Sequence, residues 1–235
     1  MLSVYNMVLE VTRRCNMACA HCLRGEAQCV DMSNEVIAHA LSGVPYISSL
    51  TLTGGEPSLA VPTIRHIIDT LKRQGTKLGS FYIVTNGLEA PMEFVHCLVD
   101  LYALCNEVED GMCGLAVSED QYHGLKEVPS IYEALTFYRR GDKKEMPPQG
   151  IINSGRAYEN GLGMRDNTES EPTLERYDDG TLYVEEPALY VSANGNVIFG
   201  CDYSYEHIDE ECIGNVTQKL WSEILAPYEP KEEAA

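Results

Sequence analysis

The chain has 235 residues, of which 44% are hydrophobic and 23% charged, as in an ordinary globular protein. Its formal net charge of −19 repels phosphate backbones and anionic membranes, which argues against a nucleic-acid or membrane partner. No apolar run approaches the ~20 residues of a membrane-spanning helix. The first residues lack the basic start and apolar block of a signal peptide, so we expect a cytoplasmic location.

The predicted elements alternate between strands and helices along the first two thirds of the chain. Residues 3–12 alternate apolar and polar side chains and predict a strand. Ser33 is a suitable N-cap for the helix that follows it. The pattern predicts helices over 34–41, 62–74, 91–105 and 130–139, and further strands over 49–53, 81–84, 115–118 and 150–153.

A strand and a helix that repeat every ~30 to 40 residues are typical of βαβ units, which form a parallel sheet covered by helices. A closed eightfold barrel typically takes ~250 residues. We therefore predict an α/β fold with an incomplete, open (β/α)6-type TIM barrel over residues 1–157. A polar loop over 158–180 and a short β-rich extension with an acidic tail over 181–235 follow, with a hairpin turn at Asn194-Gly195 and a last helix over 217–226.

Three of the nine cysteines, Cys15, Cys19 and Cys22, lie within eight residues directly after the first predicted strand. A structural zinc site usually has four ligands, and no fourth ligand-like residue repeats this spacing nearby. A cubic iron–sulfur cluster takes one thiolate per iron, so three thiolates leave one iron open to another ligand. Three inert cysteines are the alternative, but a loop after a strand is a poor place to bury three thiols.

The Cys-x3-Cys-x2-Cys spacing resembles the signature of the radical S-adenosylmethionine (radical SAM) enzymes. The resemblance implies one 4Fe–4S cluster bound by Cys15, Cys19 and Cys22. It also implies that the amine and carboxylate of SAM chelate the remaining iron, and that reductive cleavage of SAM gives methionine and a 5'-deoxyadenosyl radical. In such enzymes the position of His21 is usually aromatic and lies near the adenine.

A second motif, Gly54-Gly55-Glu56-Pro57, follows the second predicted strand. Two glycines allow a backbone to approach a ligand closely, and Glu56 supplies a carboxylate. A tight βα turn with a chance acid is the alternative. The motif lies one βα unit after the cysteines, where it resembles the family's GGE motif, which holds the methionyl amine. We therefore assign all four residues to cofactor binding.

Four polar residues near predicted strand ends are further candidates. Ser118 and Asp120 follow the fourth strand, where related enzymes often carry a residue that touches the ribose; a solvated loop is the alternative. Asn86 follows the third strand and either lines the pocket or is only the turn residue of Asn-Gly. Arg156 follows the possible fifth strand and either pairs with the methionyl carboxylate or lies at the surface.

Residues 192–201 and 212–216 loosely resemble the SPASM/twitch extension of radical SAM enzymes that modify peptides. In that extension a hairpin leads into a cysteine of an auxiliary cluster. This chain offers only Cys201 and Cys212 beyond the barrel, whereas an auxiliary cluster needs about four ligands. We therefore predict a shortened extension that caps the barrel without a complete auxiliary cluster.

The resemblance implies an enzyme that cleaves SAM reductively and modifies a peptide or protein side chain, with a flavodoxin or ferredoxin as electron donor. A glycyl-radical activating enzyme and a small-molecule enzyme of the deazapurine or nucleotide type are alternatives within the superfamily. The alternative outside it is an iron–sulfur or zinc binding module used for sensing. Such a module has no use for Glu56 and the glycine pair.

Overall fold

The fold was analysed in a computed structural model that describes residues 1–105, 113–124, 127–140, 145–167 and 170–229. Its first part alternates parallel strands with helices. The strands are β1 (Leu2–Thr12), β2 (Tyr46–Gly54), β3 (Lys77–Thr85), β4 (Gly114–Val117) and β5 (Tyr138–Arg139). The helices are α1 (Asn34–Leu41), α2 (Val61–Gln74), α3 (Met92–Leu104) and α4 (Ser130–Glu133).

The second part of the chain extends the same sheet beyond the other edge of β1. It contains α5 (Gly155–Glu159), β6 (Thr173–Arg176), β7 (Leu182–Glu186), β8 (Leu189–Val191), β9 (Asn196–Phe199), α6 (Tyr205–Glu210), β10 (Gly214–Asn215) and α7 (Trp221–Leu225). Both β7 and β8 pair in parallel with β1. The order across the sheet is β10-β9-β8-β1-β2-β3-β4-β5, and β7 carries β6.

Local signals explain the first elements. The Ser33 side chain accepts a hydrogen bond from the amide of Val36 and caps α1, as its position predicts. Helix α2 ends at Gly75, whose positive φ of 68° suits a residue without a side chain. Alternate residues of β1, such as Met7 and Leu9, belong to the core that the helices cover. The other face of the sheet is left to line a cavity.

The structure confirms the α/β fold with an unclosed, mainly parallel sheet. Two predicted elements are wrong. The helix predicted over 130–139 ends at Glu133, and the fifth strand is β5 rather than residues 150–153. Pro148–Gly150 instead form a 3-10 turn, and Ile152 makes one isolated bridge with Arg165. A two-residue strand is too short to show alternation in the sequence.

The second part of the chain also departs from the prediction in detail. Strand β6 lies inside the segment predicted as a polar loop over 158–180, and the last helix is shorter than predicted. The hairpin turn at Asn194-Gly195 is present between β8 and β9. The acidic tail lies mostly outside the described residues, and the domain boundaries stay predictions. Among the described helices, none has the length and apolar character needed to cross a membrane.

Candidate active site

The loop after β1 places all three motif cysteines on the lining of a cavity of about 540 Å³. Cys15, Cys19 and Cys22 are half-buried and are not paired in disulfides. The amide of Met17 donates to the sulfur of Cys15 at 3.4 Å, so the turn of the loop directs this sulfur. Cys29, which lies in the same loop, is exposed and does not line the cavity.

The arrangement of the three thiols fits a cluster better than a single ion. Among the described residues, the sulfurs of Cys15, Cys19 and Cys22 do not all lie within 4.8 Å of one another. A cluster that takes one thiolate per iron does not require its sulfurs to converge on one point. Burial, followed by the charges of Cys22 and Cys15, raises the pKa of Cys19 to about 11, so metal binding must displace a proton there.

The two glycines of the second motif let the end of β2 lie against the start of the cysteine loop. The amide of Gly55 donates to the carbonyl of Thr12 and the amide of Glu56 to that of Arg14, each at 2.8 Å. A Cβ at Gly54 would overlap the Thr12 carbonyl, and one at Gly55 would overlap the Arg14 carbonyl. Backbone packing against the cysteine loop therefore requires both glycines, which also line the cavity.

Glu56 ties the ends of β2 and β3 together. Its carboxylate is 1% exposed and accepts from the amide of Ser58 at 2.9 Å, from the Thr85 hydroxyl at 2.7 Å and from the amide of Asn86 at 2.8 Å. A carboxylate has about four acceptor positions, so about one is left for a ligand. Pro57 starts a 3-10 turn, is buried, and lies outside the cavity lining.

Asn86 and Ser118 both line the cavity at neighbouring strand ends. The side-chain nitrogen Nδ2 of Asn86 donates to the side-chain oxygen of Asn16 in the cysteine loop at 2.7 Å. The side-chain oxygen of Asn86 accepts from the backbone amide of Leu88. Asn86 is therefore both a turn residue and a contact to the loop. The amide of Ser118 donates to the Thr85 carbonyl at 2.9 Å, which fixes the start of the segment after β4.

His21 lies in a cluster of polar rings at the cavity edge. It stacks on Tyr122 with ring centroids 4.5 Å apart and meets His123 edge-on at 5.0 Å. Asp120 accepts from the ring of His123 at 2.8 Å and lies 3.8 Å from that of His21. Both histidines line the cavity, whereas Asp120 does not. The ligand atoms of His21, Asp120 and His123 are close enough together to hold one metal ion.

Burial and the charges of neighbouring residues together set the pKa values of His21 and Asp120. Burial lowers the pKa of His21, and the charge of His123 acts in the same direction against that of Asp120. Burial opposes ionisation of Asp120, but the hydrogen bond and the charge of His123 outweigh it and lower the pKa of that carboxyl. Asp120 is thus an anion that orients the two imidazoles.

Helix α5 packs against the end of the cysteine loop. The amide of Arg156 donates to the Cys22 carbonyl at 2.9 Å, and a Cβ at Gly155 would overlap the Leu23 carbonyl. The Arg156 guanidinium lines the cavity and pairs with Glu26 at 2.7 Å. Its predicted partner, the methionyl carboxylate, would compete with that exposed glutamate.

Sequence reasoning missed two arginines that lie two residues outside the cysteine motif on either side. Arg13 is fully buried, donates to Glu10 at 2.6 Å, and grips Asp209 through both terminal nitrogens at 2.6 and 2.8 Å. Arg24 is 8% exposed and lines the cavity, as does Cys201. Their basic type next to the motif was visible in the sequence, but Asp209 and Tyr203, which they contact, lie more than 170 residues away.

A family model described as a 4Fe-4S single cluster domain matches residues 7–99, which contain the three cysteines, the GGE segment and Asn86. No curated protein matches the chain. Two solved structures of anSMEcpe match with a TM-score of 0.53 and 12% identity, and cover 95% of this chain and 80% of theirs. One is described as native anSMEcpe with bound AdoMet and Cp18Cys peptide, the other as histidine-tagged anSMEcpe with bound AdoMet.

The chain shares its fold with these AdoMet-bound structures, and the matched family model describes a 4Fe-4S cluster domain, in agreement with the predicted resemblance to the radical SAM enzymes. The chain also matches Streptococcus suis SuiB with a TM-score of 0.48 and 12% identity, over 98% of this chain and 66% of that one. The family match confirms the predicted 4Fe–4S cluster. The individual site residues and the SPASM-like character of the extension stay predictions.

Proposed function

We propose that the chain binds one 4Fe–4S cluster through Cys15, Cys19 and Cys22, cleaves SAM reductively, and modifies a side chain of a peptide or protein. The observation that carries this proposal is the cavity that brings the three thiols together with the GGE segment and with polar residues at the ends of β3 and β4. A bound cluster with SAM supplies a 5'-deoxyadenosyl radical for hydrogen abstraction. The remaining tasks fall to the residues of the chain.

Those tasks are binding, orientation and shielding. Cys15, Cys19 and Cys22 hold the cluster, and the backbone of Gly54 and Gly55, fixed against the cysteine loop, offers its edge to the methionyl amine. Asn86, Ser118 and the rings of His21 and His123 line the part of the cavity assigned to the adenosyl group. A cavity of about 540 Å³ falls within the range of ~300–1,000 Å³ for small-molecule sites.

The peptide assignment is supported by the opening of the cavity. Val84 of β3 lines it and is 39% exposed, so the concave face of the sheet reaches solvent at that point. An extended chain can approach the reactive centre there while the rest of its length stays outside. The likeness to anSMEcpe, which is described with a bound peptide, agrees with this choice. We propose a flavodoxin or ferredoxin as the one-electron donor.

Anaerobic reconstitution followed by dithionite reduction in the presence of SAM tests the proposal. We expect about four irons per chain and formation of 5'-deoxyadenosine. Both should be lost in Cys19→Ala and retained in Cys29→Ala, which removes an exposed cysteine of the same loop. Stoichiometric zinc, or a fully loaded cluster that never cleaves SAM, would contradict the proposal and favour the binding module.

Screening anaerobic reactions with peptide libraries tests the substrate class. We expect some peptides to raise the rate of 5'-deoxyadenosine formation and to change in mass at one side chain. Stimulation by nucleotides or deazapurine precursors alone would instead support a small-molecule enzyme.

A further inference from the structure

Arg24 is a buried cation on the wall of the cavity. Among the described residues, its side chain makes one hydrogen bond, from Nη1 to the carbonyl of Tyr203 at 2.8 Å. The guanidinium carbon lies 5.0 Å from the centre of the Tyr190 ring. These contacts fix the plane of the guanidinium but place no carboxylate against it. Burial opposes the charge of Arg24, whereas Tyr190 and the Glu10 carboxylate that accepts from the Tyr190 hydroxyl act from a distance and raise its pKa.

The other arginines on or near the cavity have carboxylate partners. Arg13 pairs with Glu10 and Asp209, Arg156 with Glu26, and Arg165 with Asp202. In the part of the chain that the structure describes, Arg24 has no carboxylate within salt-bridge distance. Burying a charge without a partner is costly, and proteins usually avoid it unless a ligand supplies the counter-charge.

The geometry points to a carboxylate of the substrate as the partner of Arg24, an assignment that rests on the proposed function. A buried cation with no carboxylate in contact matches one added negative charge, and the planar guanidinium matches the two oxygens of a carboxylate. Among the described residues of the cavity wall, a phosphate dianion would meet only this cation without a carboxylate, in a protein of net charge −19. We propose that the substrate presents an Asp or Glu side chain, or a terminal carboxylate, to Arg24.

The position of Arg24 separates it from the residues assigned to SAM. Its contacts, Tyr190 and Tyr203, lie in and beyond β8, on one side of β1. The GGE segment and Asn86 lie at the ends of β2 and β3, on the other side of β1. A carboxylate on Arg24 would therefore lie across the cysteine loop from the residues assigned to the methionyl group.

Cys201 provides a reporter because it lines the same cavity as Arg24. Iodoacetate and iodoacetamide both alkylate a thiolate, which displaces iodide and forms a C–S bond, but only iodoacetate carries a carboxylate. In the cluster-loaded protein we expect the iodoacetate-to-iodoacetamide rate ratio to be about tenfold higher at Cys201 than at Cys212, which lies outside the cavity. Peptide mass spectrometry measures both sites in the same molecule.

Variants assign the preference to one guanidinium. Arg24→Gln should lower the ratio at Cys201 to that at Cys212, and Arg24→Lys should retain part of it. Arg165→Gln, which removes an exposed arginine paired with Asp202, should leave the ratio high. Equal ratios in the parent and in Arg24→Gln would overturn the proposal, as would a loss of the preference only in Arg165→Gln.

A SAM-saturated arm separates the two sources of carboxylate. If Arg24 serves the substrate, saturating SAM leaves the preference at Cys201 in place. If SAM abolishes it, Arg24 holds the methionyl carboxylate and the substrate proposal is wrong. 5'-Deoxyadenosine formation, measured on unlabelled samples of the same preparation, tests the proposed function separately.

A second measurement does not depend on the reactivity of Cys201. Phenylglyoxal modifies arginine side chains, and acetate at millimolar concentration should protect Arg24 while acetamide should not. Exposed Arg165 is the internal control, since neither additive should protect it. Modification of Arg24 at the same rate in acetate and acetamide would contradict a carboxylate site.

Discussion

Two buried arginines flank the cysteine motif, and they differ in what compensates their charge. Arg13, two residues before Cys15, meets the carboxylates of Glu10 and Asp209 and lies 4.6 Å from the centre of the Tyr205 ring. Arg24, two residues after Cys22, has an aromatic ring and a backbone carbonyl but no carboxylate among the described residues. The arginine at the start of the loop contacts two carboxylates, whereas the arginine at its end contacts none among the described residues.

The difference indicates that Arg13 stabilises the fold, whereas Arg24 is available to a ligand. Glu10 of β1 also accepts from the Tyr190 hydroxyl at 2.5 Å and from the amide of Ala193 at 3.1 Å. Arg13 thereby links β1 to the C-terminal elements and holds the start of the cysteine loop in place. Arg24 makes one hydrogen bond to those elements and faces the cavity.

Arg13→Gln should have the largest effect on stability. It leaves Glu10 buried and short of a cation, and the free energy of unfolding should fall by about 3–5 kcal/mol because a buried charge loses its partner. Urea unfolding of the variant measures the change. Arg13→Lys should recover only part of it, since an ammonium cannot hold both oxygens of Asp209 in a fork.

That loss should exceed the loss from Arg24→Gln in the same assay. Equal losses would mean that both arginines serve the fold alone, and the distinction between the two ends of the loop would be wrong.

Gly155→Ala tests the contact between α5 and the end of the cysteine loop, and Gly161→Ala is its matched control. Both glycines have positive φ, 52° and 63°, so alanine strains both backbones by a similar amount. Only at Gly155 would the new Cβ overlap the loop, at Leu23. We expect Gly155→Ala to cost about 1–3 kcal/mol more than its control and to lower the iron content after reconstitution.

Iron content and unfolding are measured on the same samples. An iron content that falls equally in both variants would show that backbone strain, and not the contact with the loop, is responsible.

The first elements could be predicted from the sequence because their signals are local. Ser33 caps α1 and Gly75 ends α2 through contacts within a few residues. The cysteine spacing and the GGE segment are also short patterns, and the parallel sheet brings them together because both follow strands at the same edge. Of the predicted cofactor residues, Pro57 and Asp120 lie off the cavity lining, and the others line it.

The second part of the chain could not be placed in the same way. Strand β5 has two residues and is defined by its pairing with β4. Strands β7 and β8 join the edge of β1, which is more than 170 residues earlier in the chain. Asp209 and Tyr190 reach Arg13 and Glu10 over similar separations, and no periodicity in the sequence encodes such contacts.

Low pH should weaken the contact between Arg13 and Asp209 at the start of the cysteine loop. Burial opposes ionisation of Asp209, but the hydrogen bonds and the charge of Arg13 outweigh it and lower the pKa of that carboxyl from its ordinary value. A lowered folded-state pKa gives stability that is present above the unfolded value and is lost as pH falls through the folded one. Because 36% of the Asp209 side chain is exposed, we expect this contribution to be about 1 kcal/mol.

Unfolding free energies of the parent and of Asp209→Asn, measured from pH 6 down to about pH 3, should therefore converge at the acid end. A constant difference across this range would mean that the Arg13–Asp209 contact does not depend on the charge of Asp209.

The smallest effect on the unliganded protein should come from Arg24→Gln. The variant loses one hydrogen bond and a cation–π contact, but it also removes a buried charge that lacks a carboxylate in contact, so the net change in the free energy of unfolding should be about 1 kcal/mol or less.

The difference between the parent and Arg24→Gln should appear when a carboxylate is added. A ligand that binds only the folded state stabilises it in proportion to RT ln(1 + [L]/Kd), so acetate should raise the Tm of the parent above that in chloride at equal ionic strength. Arg24→Gln should show the same Tm in both salts, while Arg165→Gln should respond like the parent. If acetate stabilises the parent and Arg24→Gln equally, the anion binds elsewhere and Arg24 has another role.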